Sequence, residues 1–281
     1  MNVRLMTLLW IVLLAPVVGV AAEPAPFDGD IRDLGRAWLA QNDGVGLSVG
    51  VYVKGQRHFY NFGATALDGN KTPTKETIYE IGPLAKTLTG QLLARAIVEG
   101  RATANDEVTK YFEEPYANLA YDGEPVRLLH LANMTSQLMD NIPDVSQVRT
   151  VPGEPLTTTR MRVLQGYTRK EFLRQLHVVK PRRAPGSDPW HSNVSSMLLG
   201  VVLEKIFGEP FETILSREIE KPLRMGSGTA PLTRLLARGY TDANEPLPPY
   251  SAPMQYATGS LRYSTDDLLK YAAWQMVERD A

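Results

Sequence analysis

The sequence contains no cysteine, and its few histidines are scattered along the chain. Without a cysteine among the 281 residues, disulfides, thiol catalysis and cysteine-based metal sites are excluded. The four histidines form no HxH or HExxH pair, so their spacing predicts no zinc site, and we expect no cofactor. Stability must therefore come from the packing of a core.

An excess of charge of one sign is also absent. The formal net charge is −1 and hydrophobic residues make up 43% of the chain, values typical of a globular protein that has no nucleic-acid partner. Beyond the N-terminal residues, no run is long and apolar enough to cross a bilayer. We therefore expect no stable membrane span after removal of a leader, and the composition does not determine an oligomeric state.

The one long apolar run lies at the N-terminus. Arg4 precedes an apolar stretch over 5–20, and small residues continue to Ala22. This pattern predicts a signal peptide over residues 1–22 with Glu23 as the mature N-terminus, and hence a periplasmic or secreted protein. An uncleaved N-terminal anchor is the alternative.

Residues 23–281 are predicted to form one α+β domain, with a mostly helical region over about 100–240. Two β-rich runs, Gly46–Val53 and 56–62, flank Lys54-Gly55 and predict a hairpin. The segment 150–159, rich in Pro, Gly and Thr, is predicted to be a loop. Apolar periodicity predicts helices over 31–41 (with Asp30 as its cap), 84–99, 126–133, Arg169–Leu176, 195–207, 210–220 and 265–278.

One short motif is misleading. Residues 46–50 match the GxSxG pattern of α/β-hydrolases, in which the serine lies on a turn between a strand and a helix. Here the segment continues into the predicted hairpin, so Ser48 is predicted to be a strand residue.

The segment around Lys86 is more informative. A serine three residues before a lysine at a helix start would share a helical face with it, and the helix N-terminus would stabilise an alkoxide or oxyanion. Residues 79–90 resemble the SxxK element of the serine β-lactamase and penicillin-binding-protein family, with the lysine and its flanks in place. Pro83 occupies the serine position.

Other segments carry the same resemblance. Residues 190–193 are similar to the family's Tyr-x-Asn motif, with Asn193 matching and His191 in the tyrosine position. Residues 222–225 resemble its Pro-Leu-Gly-Met element, and Gln137 stands where glycine is usual. The likeness extends from about Asp30 to the last residue and is closest to the branch of class C β-lactamases, D-aminopeptidases and esterases. It implies an antiparallel sheet flanked by helices, with a helical inserted region.

The family's third motif, Lys or His followed by Thr or Ser and Gly, has no match in a suitable place. The resemblance implies closing strands from the C-terminal end, and the sequence stops before them, so we expect a sheet that is incomplete there. Two strands alone would leave an unpaired edge. Either the sequence is a truncated form of a longer protein or something else covers that edge.

The resemblance implies a site made of Lys86, His191 and Asn193, with Pro83 at the nucleophile position. Proline has no side-chain oxygen, so no acyl-enzyme can form there. His191 could act as a base or donor, and Lys86 could hold a carboxylate or carbonyl group. The structural alternatives are a lysine paired with an acid, a loop histidine, and Asn193 as the N-cap of the following helix.

Three hypotheses of function follow. The first is a hydrolase lineage acting on β-lactams, D-amino-acid peptides or esters, impaired at Pro83 and cut short. The second is a non-catalytic periplasmic binding or regulatory protein for small molecules or cell-wall peptides. The third is a residual hydrolase that uses His191 and Lys86 without a covalent step.

Overall fold

A computed structural model describes residues 25–231 and 235–276. The predicted signal peptide lies outside these residues. Within them, no helix is long and apolar enough to cross a membrane.

The described chain is a mixed α+β structure. Its strands are β1 Gly46–Val53, β2 Gln56–Gly63, β3 Ile78–Glu80, β4 Ala120–Tyr121, β5 Glu124–Pro125 and β6 Arg262–Ser264. Its α-helices are α1 Asp28–Gln41, α2 Ala85–Val98, α3 Leu128–Ala132, α4 Leu156–Gln165, α5 Arg169–Leu176, α6 Asn193–Phe207, α7 Phe211–Leu215, α8 Lys221–Leu223 and α9 Thr265–Met276. Short 3₁₀ turns cover Gly82–Leu84, Val108–Tyr111, Val145–Gln147 and Pro253–Gln255, and a π turn covers Ser216–Glu220.

The predicted hairpin is present and is covered on both faces. Strands β1 and β2 pair antiparallel around Lys54 and Gly55, which both have the positive φ that a two-residue hairpin turn requires. The Phe62 ring packs over Gly35 of α1, whereas Gly50 on the other face lies against Leu269 of α9. The hairpin is therefore a middle layer between two helices.

The remaining strand pairs are short. β3 pairs antiparallel with β6, and β4 with β5. Within the described residues β1 pairs with β2 alone, so its second edge has no partner strand there. The predicted fold class, α+β with antiparallel strands flanked by helices, is confirmed.

The core is centred on α2 and α6, which pack against each other. In α2 the predicted four-residue spacing buries Leu88, Leu92 and Ala96, whereas Leu84, before the helix begins, is 52% exposed. Helix α6 is buried on nearly every side from Val194 to Leu203, as expected for an apolar helix in the middle of a core. Gly208 ends it in the left-handed conformation.

Several predicted boundaries are wrong. Helix α4 begins inside the segment 150–159 that was predicted to be a loop, because Thr159 is buried and its hydroxyl donates to Glu154. Asp30 lies within the first turn of α1 and does not cap it. The helix predicted over 210–220 is split by the π turn, and Pro222 lies inside α8.

The core packing generates a stability prediction. Leu92→Ala removes a side chain that is fully buried in α2, and we expect it to lower the free energy of unfolding by about 2–5 kcal/mol. Val98→Ala, in the same helix at a position that is 80% exposed, should change it by less than about 0.5 kcal/mol. Urea unfolding followed by circular dichroism measures both. Equal losses would contradict the assignment of the core.

Candidate active site

The sequence-predicted site residues meet at the N-terminal ends of α2 and α6. Lys86 lies in the first turn of α2, and Asn193 is the first residue of α6. The Lys86 Nζ donates to Asn193 Oδ1 at 2.7 Å and lies 3.2 Å from His191 Nε2. The three residues predicted from the motifs are therefore in direct contact, although 105 and 107 positions separate Lys86 from its two partners.

A carboxylate that the motifs did not indicate completes this group. Asp140 Oδ1 lies 2.7 Å from Nδ1 of His191. An ammonium group can only donate, so His191 Nε2 accepts from Lys86 and the ring proton lies on Nδ1, facing Asp140. The histidine is thus held at both ring nitrogens, by a cation on one side and an anion on the other.

Asn141 closes the group into a ring of hydrogen bonds. Asn193 Nδ2 donates to Asn141 Oδ1 at 2.9 Å, and Asn141 Nδ2 donates to Asp140 Oδ2 at 2.8 Å. Together with the contacts of Lys86 and His191, these bonds form a closed five-residue ring, which we call the polar ring. Lys86 donates twice and Asp140 accepts twice, so each of the five links of the polar ring joins a donor to an acceptor.

The predicted role of Asn193 as a helix cap is wrong. Ser192 is the N-cap of α6, and its hydroxyl oxygen accepts from Ser195 N at 3.0 Å. The Asp140 carbonyl oxygen accepts from the backbone N–H groups of Asn193 and Val194. With its backbone satisfied in this way, the Asn193 side chain is free to face Lys86.

The loop that carries Asp140 is fixed to α6 by buried contacts. Ser136 Oγ lies 2.6 Å from Ser195 Oγ, and Ser192 Oγ donates to Met139 O. Gln137 adopts a φ of 61°, the left-handed conformation that favours glycine, at the position where the family usually has glycine. These contacts explain how a loop residue reaches His191 in a defined position.

Burial shapes the electrostatics of Lys86. Its side chain is partly buried, and the loss of solvation lowers the pKa of the amine below the usual lysine range, while the nearby Asp140 carboxylate opposes that shift. At a given pH, a larger fraction of Lys86 is therefore in the neutral amine form than of an ordinary surface lysine.

Pro83 lies in the 3₁₀ turn Gly82–Leu84 that leads into α2, and its ring is exposed. Proline suits this position because the first backbone N–H groups of a helix have no intrahelical acceptor. The turn is held to the rest of the fold by the backbone bond from Ile81 N to Leu261 O. Proline thus preserves the backbone in front of Lys86 but supplies no nucleophile.

The alternative serine of the GxSxG pattern belongs to the hairpin. Ser48 lies inside β1, as predicted, and its hydroxyl contacts Asn61 and Tyr79, each at 2.8 Å.

Among the described residues, no cluster of histidine, aspartate and glutamate side chains could hold a metal ion.

Comparison with known proteins identifies the family. The family model described as Beta-lactamase matches residues 31–280, so the chain belongs to the β-lactamase family of serine hydrolases, which includes penicillin-binding-protein-like enzymes. Two relatives illustrate the likeness. The D-alanyl-D-alanine-carboxypeptidase/endopeptidase AmpH of Escherichia coli K12 is 28% identical over 74% of this chain, and a β-lactamase of Pseudomonas fluorescens is 26% identical over 85% of it. The chain spans 52% and 62% of the lengths of these relatives.

Solved structures show the same fold. The β-lactamase/D-alanine carboxypeptidase of Yersinia pestis, complexed with citrate, gives a TM-score of 0.70 at 20% identity, covering 87% of this chain and 68% of that one. A class C β-lactamase in complex with cefoxitin gives a TM-score of 0.72 at 23% identity, covering 87% of this chain and 64% of that one.

The electrostatics of Lys86 generate a prediction. Burial lowers its pKa; at Lys270, burial is outweighed by hydrogen bonds to Asp266 and Asp267, which raise the pKa. Amines react with acylating reagents only when neutral, so the labelling of Lys86 should reach half its maximal rate at a lower pH than that of Lys270. Mass spectrometry of the labelled peptides over a pH series measures both midpoints, which do not depend on how accessible each amine is. Coincident or reversed midpoints would contradict the description.

Proposed function

We propose that this protein is a non-acylating member of the β-lactamase family, whose site binds its ligand without forming a covalent intermediate. The observation that carries the proposal is Pro83 in the turn before Lys86. A residue with no side-chain hydroxyl cannot attack a carbonyl carbon, and the loss of the nucleophile in a comparable serine enzyme costs about 10⁶-fold in turnover.

The polar ring supports a binding role. Lys86 can donate to a carbonyl or carboxylate oxygen of a ligand, and Asn193 and His191 place further polar atoms beside it. Two relatives are named as a D-alanyl-D-alanine-carboxypeptidase/endopeptidase and a β-lactamase. We therefore propose D-amino-acid peptides of the cell wall, or β-lactams that resemble them, as the ligand class. Esters of similar shape are the alternative.

Export is part of this proposal. It is supported by the basic residue, apolar run and small-residue exit over residues 1–22, and it would place the protein in the periplasm or outside the cell, where cell-wall peptides occur.

A fluorescent penicillin tests the proposal. The protein as it stands should show no covalent labelling on a denaturing gel and no added mass by intact mass spectrometry. Pro83→Ser restores a hydroxyl three residues before Lys86 and should allow labelling, whereas Pro83→Ala, the matched control, should not.

Covalent labelling of the unaltered protein would refute the proposal. If Pro83→Ser folds with an unchanged unfolding midpoint but still takes no label, then more than the missing hydroxyl separates this chain from the acylating enzymes. That result would favour a dedicated binding protein over an impaired hydrolase.

A further inference from the structure

We infer that the Asp140–His191 pair is a general-base pair that activates water directly, giving this protein a hydrolytic activity that needs no serine. The inference goes beyond the proposed binding role but rests on its premise that no acyl-enzyme forms. It assigns Asp140 as a positioning residue and His191 as the catalytic base, and the substrate class is an activated ester or other strained acyl compound.

The geometry of His191 suits a general base. Asp140 Oδ1 lies 2.7 Å from His191 Nδ1, which fixes the ring orientation and keeps the ring proton on Nδ1. The Nε2 lone pair then faces Lys86, at the position where the substrate is proposed to bind. A carboxylate that orients an imidazole in this way is the arrangement by which enzymes make histidine an efficient base.

The contact between the Asp140 and His191 side chains adds little to the stability of the fold. Asp140 supports α6 mainly through its backbone carbonyl oxygen, at 2.8 Å from Asn193 N, whereas its carboxylate is 3.3 Å from the same group. The side chains of Asp140 and His191 are 47% and 60% exposed. A hydrogen bond between two side chains this exposed contributes little to stability, because water competes for both groups. Asn141 nevertheless holds the second carboxylate oxygen at 2.8 Å, so the carboxylate is doubly fixed.

The site is open to solvent and to a substrate. His191 and Pro83 are both exposed, so solvent reaches the surface in front of Lys86. A substrate carbonyl oxygen that accepts the hydrogen bond from Lys86 releases the Nε2 lone pair of His191 for a water molecule. The same hydrogen bond polarises the carbonyl group for attack.

The reaction balances with water as the only co-reactant. As the water oxygen bonds to the carbonyl carbon of an ester, one water proton moves to His191 Nε2, and the carbonyl electron pair moves to its oxygen. Collapse of the tetrahedral intermediate breaks the bond to the leaving alkoxide, which takes the proton from His191. The products are a carboxylic acid and an alcohol, and His191 returns to its neutral state.

Hydrolysis of a nitrophenyl ester by the full chain tests the inference. We expect turnover above the buffer rate without a burst of product. Asp140→Asn and His191→Gln should each lower kcat about 10²-fold, the contribution typical of a positioned base, with KM little changed. The matched control is Asp144→Asn, an aspartate in the same loop that lies outside the polar ring and accepts from Ser146 N, a contact that an asparagine oxygen can also make. It should leave turnover unchanged.

A spectroscopic measurement distinguishes the loss of His191 orientation by Asp140 from a general loss of stability. The nitrogen NMR shifts of a histidine ring report which ring nitrogen carries the proton without requiring that proton to be seen. They should show the Nδ1-protonated form of His191 in the parent and in Asp144→Asn and a loss of that form in Asp140→Asn, with His191→Gln assigning the signals. Asp140→Glu, which retains the carboxylate, should recover part of kcat.

The outcomes distinguish this inference from the proposed function. Absence of turnover in the parent, or equal kcat in the parent, Asp140→Asn and His191→Gln, would overturn the inference and leave the binding role intact. Covalent labelling by penicillin or a product burst would instead overturn the non-acylating premise itself.

Discussion

The packing of α2 against α6 is the constraint on which the site depends. Both helices contribute buried apolar faces to one core, and their N-terminal ends meet where Lys86 and Asn193 are hydrogen-bonded. Each helix brings only part of the site, since His191 precedes α6 and Asp140 lies in the loop fixed against it. The placement of the polar ring therefore depends on apolar packing some distance from its polar atoms.

The polar ring also shows how a half-buried cation is accommodated. Lys86 loses solvation, and its ammonium group recovers two acceptors, one on Asn193 and one on His191. One path around the polar ring runs from Lys86 through His191 to the Asp140 carboxylate. The other runs from Lys86 through Asn193 and Asn141 to the same carboxylate. The ammonium group and the carboxylate are thus joined by neutral side chains whose dipoles are aligned. These contacts offset part of the solvation that Lys86 loses.

Pro83 is compatible with the backbone of the fold but lacks the side-chain hydroxyl of a serine at this position. The proline is compatible with the first turn before α2 because the backbone N–H that it lacks would have had no acceptor in the helix. The core residues of α2 are unaffected, and the membership of the family is clear from most of the chain. Under the proposed function, one position removes the nucleophile while the scaffold that holds Lys86 remains.

The sequence by itself was sufficient for the family, the fold class, the hairpin and the long helices of the core. It also pointed to Lys86, His191 and Asn193, which the structure brings into contact and whose role in a site stays a prediction. These follow from local periodicity and from short motifs, which record the neighbours of each residue along the chain. The start of α4 was missed because its threonine-rich first turn favours a loop until tertiary contacts bury Thr159.

Only the tertiary structure revealed Asp140 and Asn141. No motif marks them, because their role depends on a loop whose backbone caps α6 and turns both side chains toward His191 and Asn193. The same capping contacts replaced the predicted role of Asn193 at the helix start. A hydrogen-bonded ring joins residues more than one hundred positions apart, so it is determined by how the helices pack and not by any local pattern.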